Sequence, residues 1–150
     1  MSVRFWRAVS AATLVLTGCG DGLGPSVQLM ENRVKWQQSG IETYELVVSR
    51  GCECLSPEMT GPVRVAVRNG VIESRTYMDG TPVPANHGET FPDVPGLFAL
   101  IQDAIDRNSA ELTVRYHPTH GVPTRIFVDY HPTYVDDEIV HTISFTQGGT

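Results

Sequence analysis

The chain has 150 residues, with 11 Lys+Arg against 17 Asp+Glu and a formal net charge of −6. Lys35 is its single lysine. So acidic a balance argues against nucleic acid as a partner and against an electrostatic grip on anionic lipid, while the length suffices for one domain with a real core.

The opening "MSVRFWRAVSAATLVLTGCG" puts Arg4 and Arg7 ahead of a short uncharged run, Ala8 to Leu16. A bilayer span needs roughly 20 apolar residues, so this run reads as a secretory signal and not as an anchor helix. Leu16-Thr17-Gly18-Cys19 then resembles the lipobox of bacterial lipoproteins. The resemblance implies cleavage before Cys19, diacylation of its thiol and acylation of the new amino terminus. Acyl chains bury methylenes worth about 0.8 kcal/mol each, which makes such an anchor stable. Gly20, with no aspartate at that place, resembles the pattern sorted to the outer membrane in Gram-negative cells. The expected organisation is a signal peptide over 1–18, a lipidated Cys19 with a flexible tether over 19–25, and one domain over 26–150. Without Arg4 and Arg7 the remaining chain is more acidic still.

Ser26 is expected to cap a first helix running to about Ser39, with Val27, Met30 and Val34 at helical spacing and Trp36 beside them. Gly40 is a natural terminator. "ETYELVVSR" alternates, Tyr44, Leu46 and Val48 on one face and Glu45, Val47 and Ser49 on the other. In "PVRVAVRNGVIESRTY", Val63, Val65 and Val67 alternate with Arg64, Ala66 and Arg68. Asn69-Gly70 is the preferred two-residue hairpin turn, and the return strand runs from Val71 to Tyr77. Asp79 to Pro92 reads as a polar loop of turn formers. Asp93 then caps a helix with Val94, Leu97, Phe98, Ile101 and Ile105 on one stripe. Three more strands follow, Leu112 to His117, Thr124 to Tyr130 and Glu138 to Phe145. Links of hairpin length cannot make parallel crossovers. The predicted class is therefore α+β: an antiparallel sheet of about six strands with two helices packed on one face, in the order α-β-β-β-α-β-β-β.

"GIETYEL", "CEC", "PVRVAVRNGVI", the second helix and "VRYHPTHGVPTRIFVDYHPTYVDDEI" together resemble a group of bacterial envelope proteins, often lipoproteins, known only as a domain of unknown function. The resemblance covers about Trp36 to Phe145. It implies a compartment and a fold, and it transfers no catalytic residue.

Cys52 and Cys54 are the thiols left once Cys19 is lipidated, in an oxidising compartment. Three readings stand. A disulfide needs Cβ atoms about 3.8 Å apart, whereas i and i+2 on an extended strand lie nearly 7 Å apart, so a clip requires the backbone to turn at Glu53. A soft-metal site for Cu(I) would use both thiolates with Met59 or a histidine. A reactive redox pair is the third, because so strained a ring is easily reduced.

The five histidines are His87, His117, His120, His131 and His141, and none forms a dense ligand motif. "YHPT" recurs at Tyr116–Thr119 and Tyr130–Thr133, which reads as repeated turn chemistry at two strand ends. His117 and His120 sit around a Pro-Thr turn and are placed to meet His131 if the two strands pair. Asp136, Asp137 and Glu138, near Asp129, read as a solvated turn. A Glu73–Asp129 carboxylate pair has nothing in the sequence to select it, and nucleophile-elbow, phosphate-loop and dinucleotide motifs are absent. The expected function is a non-enzymatic binding or assembly module with no cofactor. It would be held to the membrane through Cys19 and face an envelope protein or polymer through one sheet face or the Asp79–Pro92 loop. The rivals are copper handling through Cys52 and Cys54, and an enzyme with an unrecognised site.

Overall fold

The computed structural model describes residues 23–51, 56–134 and 137–148. Cys19, Cys52, Cys54 and Asp136 lie outside the described residues. Pro25, with φ pre-set for a first helical turn and no N–H to leave unpaired, starts helix α1 (Pro25–Ser39). Gly24 is the N-cap, and no side chain caps this end. Ser26, expected as the cap, lies inside the first turn. Gly40 closes the helix at φ 62, a left-handed conformation that costs glycine nothing.

Strands β1 (Tyr44–Gly51), β2 (Val63–Arg68) and β3 (Val71–Tyr77) follow as a meander. Asn69 and Gly70 take φ 50 and 73, the doubly left-handed turn that matches strand twist. The Asp79–Pro92 stretch is folded rather than a bare loop. Thr76 bridges to Pro82, a 3₁₀ segment spans Ala85–Thr90, and Phe91 behind it is fully buried. Helix α2 (Val94–Asp106) starts where the Asp93 carboxylate accepts a hydrogen bond from the Gly96 N–H at 2.9 Å. Strands β4 (Glu111–Tyr116), β5 (Pro123–Asp129) and β6 (Ile139–Gln147) complete the domain.

The six strands form one antiparallel sheet in the order β3-β2-β1-β6-β5-β4. Each α-β-β-β half thus contributes three adjacent strands, and β1 against β6 is the seam. The inward rows place Leu46 and Val48 beside Val63, Val65 and Val67 on one side, and Ile126, Val128 and Ile143 on the other. Leu97, Phe98 and Ile101 of α2 cover them. The helices run antiparallel on this face, and the Arg33 guanidinium lies 5.7 Å from the Phe98 ring centroid.

The predicted class and element order stand, with one correction of orientation. α1 turns Leu29, Asn32 and Trp36 toward the domain, while Val27, Met30 and Val34 point outward at 39%, 61% and 42% exposure. The Asn32 amide, 7% exposed, is accommodated because it donates to the Gln28 carbonyl at 2.8 Å. Gly121 packs so tightly against this helix that a Cβ would stand 2.3 Å from the Asn32 carbonyl oxygen.

Candidate functional site

Antiparallel pairing sends the chemistry-bearing residues to two opposite ends of the helix-covered face. At the end where β1 finishes, Arg50 faces His141 across the β1–β6 seam, with Ile126 on the histidine's other flank. His141 is 3% exposed, and its Nδ1 meets no hydrogen-bond partner among the described residues. Burial, reinforced by the positive charge of Arg50, pushes its pKa down to about 4, so the imidazole is neutral at pH 7. Beside this pair, the Tyr130 phenol lies near the Asp103 carboxylate of α2, which holds Arg107 at 3.0 Å. The Arg107 guanidinium lies 5.4 Å from the Tyr130 ring centroid. Burial and then the charge of Asp103 raise the Tyr130 pKa. This end is a linked set of two arginines, a carboxylate, a phenol and a buried imidazole.

At the opposite end, where β4 finishes, the His117 and His120 rings stack at 4.9 Å, and the His120 N–H donates to His117 Nδ1 at 3.3 Å. Both rings approach Phe145, which itself meets Trp36 and Tyr44. His120 also lines a cleft of about 320 Å³ with Lys35, Gln38, Ser39 and Gln147. Burial drives the Tyr44 phenol up to about 12, and its oxygen accepts from the Val94 N–H.

His131 lies just past the end of β5, at the Arg50 end of the sheet, and bonds to Asp137 at 2.9 Å. It therefore does not meet His117 and His120, because consecutive antiparallel strands finish at opposite ends. Both "YHPT" stretches are strand exits, as their spacing predicts. Asp129 closes a local turn by accepting from the His131 N–H, and Glu138 is exposed. Glu73 on β3 pairs with Arg68 at 2.7 Å. Four strand spacings, roughly 19 Å, separate β3 from β5, so Glu73 and Asp129 make no catalytic pair. Met59 ends a short 3₁₀ segment, and His87 sits in the one before α2. Among the described residues no three His, Cys, Asp or Glu side chains come together as a metal site, and no helix is long and apolar enough to cross a membrane.

Among the described residues, helices cover only one sheet face. On the other, Val47, Phe127 and Val140 are half-buried among Ser49, Thr142, Ser144 and Thr146. Arg115 and Arg125 stand directly opposite one another across β4 and β5 on this open face, both exposed. Like charges in that register repel, so the pair is tolerated rather than stabilising.

The fold and these surfaces define a one-sheet α+β domain with an uncovered β face. Residues 28–147 match the family of unknown function DUF6174, and the chain belongs to that family. No curated protein and no solved structure matches it.

His141 and Arg50 escaped the sequence reading as a unit. The signal was present: in "EIVHTISF", His141 shares the inward period with Ile143 and Phe145.

Proposed function

We propose that this protein is a lipid-anchored module of the cell envelope, tethered through Cys19, that binds an envelope protein or polymer through its open sheet face. The observation that carries the reading is the uncovered face itself. It has half-buried apolar residues at its centre, a row of hydroxyls beside them and an arginine pair on one flank. Apolar area framed by hydrogen-bonding groups is the composition of an interface, and the facing arginines would gain by receiving a carboxylate or phosphate between them.

The test is photo-crosslinking in the cells that make the protein, from a probe placed at Thr142 or Ser144. A discrete adduct that disappears with Arg115→Glu supports the reading, and probes on the open face that capture nothing defeat it. Fatty-acid labelling checks the tether: the wild-type chain takes up label and Cys19→Ala does not.

For Cys52 and Cys54 we propose a small disulfide clip at the exit from β1. A soft-metal reading has one observation in its favour. His141 is a buried neutral imidazole opposite Arg50, and Cys52 and Cys54 follow Arg50 by two and four residues. Thiol counting on the purified protein separates the two. No free thiol supports the clip, whereas two free thiols with stoichiometric Cu(I), weakened by His141→Phe, support the metal.

A further inference from the structure

The outer side of α1 carries an apolar strip that meets no partner among the described residues. Leu23, Val27, Met30 and Val34 are 52%, 39%, 61% and 42% exposed. Within the helix, at 100° per residue Val27, Met30 and Val34 fall within about 60° of arc, and at 1.5 Å per residue they extend roughly 10 Å along it, while Leu23 stands just ahead of the N-cap Gly24. The opposite side, with Leu29 and Trp36, is the one that meets the domain. Nothing in the fold requires apolar residues on the solvent side of this helix, and Ser, Gln or Glu there would serve its helical propensity as well.

The position of the strip along the chain says what covers it. Leu23 follows Cys19 by four residues, and a four-residue step reaches at most roughly 14 Å. A diacylated Cys19 would hold the first residue of the strip within that distance of the headgroups. Charge does not oppose contact: Glu31 and Lys35 flank the strip and cancel, and α1 as a whole has one more basic than acidic residue in a net-acidic chain. The strip is too short and too mixed to insert as a span. It has the form of an interfacial helix, apolar on its underside and lying in the plane of the headgroups.

We propose that α1 docks on the bilayer surface through Leu23, Val27, Met30 and Val34, so that the lipid at Cys19 and this strip form one two-part membrane contact. The inference rests on the lipid-anchor reading and specifies how the domain sits on the membrane. Two anchoring elements give residence that neither gives alone. They also fix orientation. With the helical layer toward the bilayer, the open sheet face looks away from it.

Methionine supplies the test. After Met1, the chain has only Met30, Met59 and Met78, and Met78 is 52% exposed on the turn after β3. Full-length protein would be labelled with methyl-¹³C methionine, purified from membranes and placed in phosphatidylethanolamine/phosphatidylglycerol nanodiscs holding a spin-labelled lipid. Mass spectrometry first establishes whether Cys19 carries its acyl chains, and an unmodified Cys19 defeats the anchor reading on its own. In the acylated protein, the Met30 methyl signal should lose at least about threefold more intensity than that of Met78. Val27→Gln with Val34→Gln should bring Met30 to the Met78 level while the Met59 and Met78 shifts, as reporters of the fold, stay in place. Equal broadening of Met30 and Met78 in the acylated wild-type chain overturns the docking proposal and leaves the anchor intact. So does a Met30 shielded from lipid in a sedimenting dimer, which would assign the strip to a second copy.

Discussion

The two helices lie side by side on one sheet, yet they divide their apolar residues in opposite ways. α2 spends its apolar side chains inward: Val94, Leu97, Phe98, Ile101 and Ala104 are all buried. α1 buries Leu29 and an amide, Asn32, while Val27, Met30 and Val34 face out. Their beginnings differ as well, since Asp93 caps α2 with its side chain and α1 starts on Gly24 and Pro25 with no such bond. α2 is a structural element, its sequence dictated by the core beneath it. α1 is held by a few contacts, and the rest of its apolar content is unexplained by folding. Helical periodicity alone therefore does not tell which side of a helix a domain will use.

The sharpest way to break this contrast is core truncation. Ile101→Ala on α2 should cost about 2–5 kcal/mol, from lost transfer free energy and the cavity left behind, as read by urea unfolding. A loss below about 1 kcal/mol would mean that α2 is not the principal lid of the core.

Next in size is the acid sensitivity of the sheet beneath α2. His141 titrates near 4 when folded and near its ordinary 6.5 when unfolded, so between those values the unfolded chain binds the extra proton. Its contribution is complete above about pH 6.5 and is lost as the pH falls through 4, a difference of about 3 kcal/mol. His141→Phe should flatten this limb of the stability–pH curve. An unchanged slope would place the acid sensitivity elsewhere.

The helix starts give a smaller and cleaner test. Asp93→Ala should cost about 1 kcal/mol, and Ser26→Ala close to nothing, because only the first removes a cap. Equal costs would show that Ser26 does cap α1 in solution. The smallest effect belongs to the outer strip: Met30→Gln should change unfolding free energy by no more than about 0.5 kcal/mol in lipid-free solution. A larger loss would turn the strip into part of the core.

Much of this architecture was legible in the residues, for definite reasons. α2 has one dense arc of large apolar side chains, with Gln102, Asp103 and Asp106 grouped on the far side, so its orientation follows from pattern alone. The Asn69-Gly70 turn and the valines before it fix a hairpin because few other backbones suit that pair. α1 has two apolar arcs, Val27-Met30-Val34 and Leu29-Trp36, and pattern names the helix without choosing between them. The choice falls to Trp36, whose ring has Tyr44 and Phe145 to pack against at 5.2 and 6.0 Å. Phe91 and Val122 were hidden by their neighbours, being core residues flanked by proline in segments that read as loops. The Arg50–His141 pair depends on β1 meeting β6, a contact between distant parts of the chain that no local window contains.

That seam governs how the domain is assembled. Each half can zip its own three strands locally, but the hydrogen-bonding edge that β1 turns away from β2 is satisfied only by β6, the final strand in chain order. Until β6 arrives, that edge stays open and the floor under both helices is split in two. A chain emerging residue by residue can reach the native arrangement only once β6 has emerged.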